Sequence, residues 1–136
     1  MAGLTPYFTF SGTAREALTF YADVFGGSTE LNTFADFGRE DGPADAIAHG
    51  ILKDSLVELF AADAAGDEKP FTSEGLLLSL LGTADPGTLH AWFARLSEGG
   101  TVVDDLQKRP WGGFDGQVID RFGVQWLIGY ELAPAD

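Results

Sequence analysis

Few side chains in this sequence can do chemistry, and their types narrow the field quickly. There is no cysteine, so thiolate catalysis, disulfides and Cys-type zinc sites are excluded. Only two histidines occur, His49 and His90. His90 follows Leu89 beside an apolar helical stripe and is read as exposed surface. His49 alternates with Ala48 and Gly50 in a strand-like run. It is either a histidine satisfied within a sheet or a polar group facing a cavity. Glu58 sits in Leu56-Val57-Glu58-Leu59-Phe60, whose alternation puts Leu56, Glu58 and Phe60 on one face. A carboxylate on an apolar face is costly unless paired, hydrogen-bonded or wet. It is either held by a nearby hydroxyl, arginine or water, or it is a polar anchor or raised-pKa acid on a cavity floor. The acids Glu40-Asp41, Asp63 and Asp104-Asp105 fall at turns or strand ends and read as solvated surface. No serine, histidine and acid have a spacing that argues for a nucleophilic triad. No phosphate-cradling glycine loop and no basic patch are present.

Charge narrows the partners. Acids outnumber bases by 21 to 8 in 136 residues, for a formal net charge of −13. Such a surface is repelled by phosphate backbones and anionic lipid, so neither nucleic acid nor membrane is an expected partner. Cationic ligands are favoured over anionic ones. No basic, apolar leader stands at the front, and no apolar run reaches the roughly 18 residues of a membrane span. A soluble, cytoplasmic protein is the expectation.

Elements must position these residues. Tyr7 to Phe10 reads as a strand. A helix follows, with Thr13 and Glu16 spaced as a capping box and Ala14, Ala17, Leu18, Tyr21 and Phe25 on one face. Gly26-Gly27 ends it. Strands are expected over Ser28–Phe37, Ala46–Leu52 and Leu56–Phe60. The order then repeats. Gly75–Leu81 is a strand, and Asp85-Pro86 is an N-cap followed by proline at the first helical position. Leu89, Trp92, Phe93 and Leu96 make an amphipathic stripe. Strands follow over Thr101–Leu106, Gln117–Asp120 and Val124–Leu132, with Trp111 in the glycine-rich turn between the first two.

The local sequences repeat as well. Ser11-Gly12-Thr13-Ala14 matches Leu81-Gly82-Thr83-Ala84, Phe20-Tyr21 matches Trp92-Phe93, and Gly26-Gly27 matches Gly99-Gly100. A slowly drifting spacing marks a diverged internal duplication. The predicted fold is α+β: two βαβββ modules, residues 1–65 and 72–136, joined by a linker over 66–71, with mixed sheets curled around a cavity. One helix covers one face of its sheet. The other face must meet the second module, a partner chain or a ligand. By strand parity the cavity is expected to be lined by Phe8, Phe10, Leu56, Glu58, Phe60, Leu77, Ser79, Gln125 and Leu127, with His49 as a polar candidate. Trp126 has the opposite parity and is expected under a helix. Trp111 is either a lid over the pocket or a loop anchor.

The run Pro6-Tyr7-Phe8-Thr9-Phe10-Ser11-Gly12 through Phe20-Tyr21 to Phe25-Gly26-Gly27 resembles the opening of vicinal oxygen chelate proteins, the glyoxalase/bleomycin-resistance/dioxygenase superfamily. The closing run from Trp111-Gly112-Gly113-Phe114-Asp115-Gly116 to Trp126-Leu127-Ile128 resembles the PhnB-like branch, also labelled demethylubiquinone-methyltransferase-like. Asp120-Arg121-Phe122-Gly123 departs from that branch, which has proline after the aspartate. Nothing in the sequence supports a methyltransferase cofactor.

The resemblance implies a divalent metal held by the first and last strands of each module. Carried over residue by residue, its four ligand positions fall on Pro6, Glu58, Gly75 and Leu127. Only Glu58 bears a donor side chain. A one-residue slip offers Gln125 or Trp126 in place of Leu127 and does not rebuild the site. The expectation is therefore no metal and no cofactor. The leading functional reading is binding of a small, partly apolar molecule, cationic in one version. Its rivals are a metal-dependent isomerase, lyase or dioxygenase in which Glu58 and His49 converge, and an interaction module whose cavity its own side chains fill. A homodimer is implied by the resemblance.

Overall fold

The computed structural model describes residues 3–132. The chain divides into two compact units, one ending at Phe71 and one starting at Thr72. The fold is α+β, and each unit is a βαβββ module with its own four-stranded mixed sheet. Among the described residues, no helix is long and apolar enough to cross a membrane.

The first module runs β1 (Tyr7–Phe10), α1 (Ala14–Phe25), β2 (Ser28–Thr33), β3 (Ile47–Lys53) and β4 (Leu59–Asp63), in the sheet order β1-β4-β3-β2. Helix α1 buries Ala14, Ala17, Leu18, Tyr21, Val24 and Phe25. That is the expected three-and-four stripe, with Val24 added. Gly50 on β3 makes the close approach possible, because a Cβ there would stand 2.4 Å from Leu18 Cδ1.

The start of α1 departs from expectation. The Thr13 side chain makes no capping bond. The first-turn donor is satisfied from across the fold: Ala14 N donates to Asp63 Oδ1 at 2.9 Å, and Ile47 N donates to Asp63 Oδ2 at 2.8 Å. Asp63 is only 7% exposed, so the reading of this acid as solvated surface is corrected. Two backbone N–H groups replace the water it would lose.

Two strands also end differently. β2 stops at Thr33, where Ser28–Phe37 was expected, and a 3-10 turn covers Ala35–Phe37. Thr33 N donates to Asp36 Oδ2 and Asp36 N donates to Thr33 Oγ1, a reciprocal pair that turns the chain. β4 begins at Leu59 rather than Leu56. Ser55 Oγ donates to Phe25 O and accepts from Val57 N, which holds the preceding segment as a loop. The linker is shorter than expected too. Phe71 N donates to Thr9 O, and the Phe71 ring lies edge-on to Phe8 at 5.0 Å, so Phe71 belongs to the first unit.

The second module runs β5 (Leu78–Leu81), α2 (Pro86–Ser97), β6 (Thr101–Lys108), β7 (Gly113–Ile119) and β8 (Gln125–Glu131), in the order β5-β8-β7-β6. Helix α2 starts as expected: Thr88 N donates to Asp85 Oδ1 at 2.9 Å, with Pro86 in the first turn. Leu89, Trp92, Phe93 and Leu96 form its buried face. Asp120 lies past the end of β7 and is buried. It accepts from Phe122 N, Val124 N and Trp126 Nε1, at 2.8, 3.2 and 2.8 Å. These bonds hold the β7–β8 turn, although arginine and not proline follows the aspartate. Trp126 is buried with Val118 and Ile128, as its parity required.

Candidate functional site

Register decides which side chains share a face. Tyr7 pairs with Phe60, Phe8 with Ala61 and Phe10 with Asp63. Asp63 caps α1, so Phe8 and Phe10 lie on the helix side of the sheet. Both are buried there, edge-on to Phe71. Their expected place beside Phe60 is corrected: the parallel register offsets β1 from β4 by one residue relative to the sequence reading. Leu56 and Glu58 do not stand on β4 at all. Leu56 is 67% exposed, and Glu58 is exposed in the loop ahead of the strand.

The face turned away from α1 carries Phe60 and His49 together, with ring centroids 5.5 Å apart. Tyr7 completes the group. Its ring is 5.5 Å from His49 and 6.0 Å from Phe60, and its hydroxyl lies 3.0 Å from His49 Nδ1. Burial raises the Tyr7 pKa, aided by the Glu68 carboxylate and opposed by the Arg39 guanidinium, so the phenol stays protonated at neutral pH. Tyr7 has even exposure, 50%, and was not singled out from the sequence. Its parity with His49 and Phe60 becomes visible only with the β1–β4 register.

The second module places Ser79 opposite Leu127 across β5 and β8. On the same face Gln125 Nε2 donates to Gln117 Oε1 at 2.9 Å. Leu77 lies just ahead of β5, half-buried. Ser79, Gln125 and Leu127 share the face away from Trp126 and Ile128.

A cleft lies elsewhere in this module. An open cleft of about 640 Å³ is lined by Leu81, Pro86, Trp111, Phe114, Tyr130 and Glu131, among others. Of the residues singled out from the sequence, only Trp111 borders it. Trp111 is 73% exposed in the β6–β7 turn. Phe114 and Tyr130 stack with centroids 5.0 Å apart at 11°. His90, on the exposed side of α2, lies with Nε2 2.9 Å from the Tyr130 hydroxyl. Arg109 anchors the turn between Asp104 and Asp115. Those carboxylates also hold its pKa above the ordinary guanidinium value. Asp104 is thus paired rather than simply solvated. Asp115 also borders the cleft. Sequence parity gave no reason to single out Tyr130, which shares the parity of Trp126, the residue expected under a helix.

The metal of the resemblance does not fit. Pro6 offers only its carbonyl, which accepts from Phe60 N at 3.0 Å. Gly75 and Leu127 have no donor side chain. Glu58 and His49 do not converge either. Leu52 pairs with Leu59 and Gly50 with Ala61, so Glu58 and His49 lie beyond opposite ends of that ladder, about 13 Å apart along the strands. Among the described residues, no three His, Asp or Glu side chains stand close enough to hold a metal ion.

Comparison with known proteins agrees with the fold. The sequence model of the Glyoxalase/Bleomycin resistance protein/Dioxygenase superfamily matches residues 4–128. Protein YjdN of Escherichia coli (strain K12) is 26% identical over 138 residues, covering 92% of this chain and 92% of its own. The crystal structure of protein PA1353 from Pseudomonas aeruginosa is 30% identical, covers 96% of this chain and 98% of its own, and superposes with a TM-score of 0.78. The PhnB protein of Bacillus cereus, at 20% identity, covers 97% of this chain and 100% of its own and shares the fold with a TM-score of 0.74.

Proposed function

We propose, on the premise that this chain belongs to the Glyoxalase/Bleomycin resistance protein/Dioxygenase superfamily, that it binds a small, partly apolar cation without metal chemistry. The observation that carries this reading is the aromatic cleft of the second module. Its volume, about 640 Å³, suits a drug-sized molecule. The stacked Phe114–Tyr130 pair and Trp111 offer ring faces, which attract cations through their quadrupoles. Charge supports the same sign. Asp104 and Asp115 share the single guanidinium of Arg109, which leaves that trio one negative charge, and the exposed Glu131 adds another. The donor-poor positions Pro6, Gly75 and Leu127 support a role without a Lewis acid. We infer a homodimer as the working assembly, to be checked by light scattering.

Calorimetric titration tests the reading, with ethidium as a planar aromatic cation and 8-anilinonaphthalene-1-sulfonate as an aromatic anion. The titration is run in about 0.5 M salt, where diffuse attraction to a surface of net charge −13 is screened within a few ångströms. Ethidium is expected to bind and the anion not. Trp111→Ala is expected to weaken ethidium about tenfold. Absence of ethidium binding, or binding indifferent to Trp111→Ala, overturns it.

A further inference from the structure

One wall of the second module's cleft is tied to a helix imidazole. Tyr130 lines the cleft, and its hydroxyl lies 2.9 Å from His90 Nε2. The His90 ring stands edge-on to Phe114 at 6.0 Å and to Tyr130 at 5.7 Å. Phe114 and Tyr130 pair across β7 and β8 with the parity of Val118 and Trp126, so the set lies on the side of the sheet that α2 covers.

The internal repeat shows that packing does not require these rings. In the match of Phe20-Tyr21 with Trp92-Phe93, His90 takes the place of Leu18. Tyr130, three residues past Leu127, takes the place of Ala61, three residues past Glu58. Ala61 pairs with Gly50 as Tyr130 pairs with Phe114. The first module closes this corner by packing Leu18 onto Gly50, and Leu18 and Ala61 are fully buried. In the second module all three positions hold rings, with His90 exposed and Phe114 and Tyr130 half-buried.

The proton on the imidazole decides what the phenol offers. A neutral imidazole has one acceptor nitrogen, and an imidazolium has two donors and no acceptor. The phenol is the better donor of the neutral pair and the imidazole nitrogen the better acceptor. Tyr130 therefore donates to Nε2, and its own oxygen is left to the cleft as an acceptor. Once His90 is charged, Nε2 donates to the phenol oxygen, and the phenol proton turns outward. The same wall then offers a donor, with a positive charge behind it.

The charged neighbours come from three strands. β8 contributes Glu131, and β6 contributes Lys108, which pairs with Phe114. β7 contributes Asp115, which is bound to Arg109. Within α2, the residues three and four positions from His90 are Pro86, Gly87, Phe93 and Ala94, none of them charged.

We propose that His90 is a positioning residue that makes the Tyr130 oxygen a hydrogen-bond acceptor in the cleft, so that the cleft selects aromatic cations bearing N–H donors, such as arylamidinium ions, over quaternary ones. Protonation of His90 abolishes that selection. The inference rests on the cation reading of the cleft and adds to it which cation is taken and what releases it.

The test is an NMR titration of the full-length protein, followed at the Trp111 indole and the Gly113 amide. Benzamidinium carries N–H donors and phenyltrimethylammonium carries none, and both keep their charge throughout. The titrations are run at about pH 8 and about pH 5.5, either side of an ordinary imidazole pKa. At the higher pH benzamidinium is expected to bind about tenfold more tightly, the weight of one hydrogen bond to a charged donor. Tyr130→Phe keeps the ring and removes the oxygen, and the two affinities are expected to become equal. At the lower pH the wild-type preference is expected to vanish. His90→Ala, at an exposed helix position, is expected to make the affinity ratio independent of pH. Equal affinities at the higher pH, a ratio unmoved by Tyr130→Phe, or a wild-type ratio that does not change with pH overturns the proposal. If ethidium binds and the two probes do not differ, this inference fails and the cleft reading stands. If ethidium fails to bind as well, both fall.

Discussion

Replacing Asp63 with alanine removes the acceptor for two backbone donors at once. Ala14 N and Ile47 N each donate to one of its oxygens, at 2.9 and 2.8 Å, in a buried setting. A hydrogen bond to a charged group contributes about 1.5–3 kcal/mol, and a buried donor left without a partner costs a similar amount. The expected loss is therefore about 3–5 kcal/mol, large for a single substitution. Asp63→Asn keeps one acceptor oxygen but turns an amide NH₂ toward the second donor, and about 2 kcal/mol should be lost. Thr13→Ala is the control. A working N-cap costs about 1 kcal/mol on removal, yet the Thr13 side chain makes no cap bond, so less than about 0.5 kcal/mol is expected. The assay is urea unfolding followed by far-UV circular dichroism. Amide exchange at Ala14 and Ile47 serves as the local readout, because two compact units need not unfold as one. If Thr13→Ala costs as much as Asp63→Ala, or Asp63→Asn matches the wild type, the long-range cap is refuted.

Gly50→Ala puts a methyl group 2.4 Å from Leu18 Cδ1, and α1 or the Leu18 rotamer must shift. A loss of about 1–3 kcal/mol is expected in the same unfolding assay. Trp126→Phe removes the indole bond to Asp120 Oδ2, and about 1.5–3 kcal/mol should go with it; a loss below about 0.5 kcal/mol would contradict that bond's role. The Asp85 pKa is lowered by the bonds it accepts from Thr88. Its folded value lies below its unfolded one, so the cap's contribution is present above about pH 4 and is lost as pH falls through the lowered folded pKa. Amide shifts at the start of α2, followed down in pH, should report that loss, and Asp85→Asn should flatten the titration.

Much of the architecture was legible because local rules and tertiary needs coincide. The stripes Ala14–Phe25 and Leu89–Leu96, the Asp85-Pro86 start and the repeated glycine pairs each point to one structure. What escaped depends on contacts distant in sequence. Thr13 and Glu16 have capping-box spacing, but the Thr13 side chain makes no cap bond, and Asp63, 49 residues away, accepts from Ala14 N in the same first turn. The alternation of Leu56, Glu58 and Phe60 looks like a strand, but Ser55 ties its first half to Phe25 O. Phe8 and Phe10 alternate correctly; only the parallel pairing to β4 says which face they take. The site suffered the same way. His49 and Phe60 do meet, while their partner Tyr7 required the register. Trp111 stood out by residue type, while Phe114 and Tyr130 were hidden by a parity that elsewhere means helix-covered core.

The most direct test of the account is a crystal structure of the protein grown with saturating ethidium. The account predicts the dye between Trp111 and the stacked Phe114–Tyr130 pair, its charge toward Glu131. Dye bound away from these residues, or a cleft left empty of dye at saturation, would contradict it.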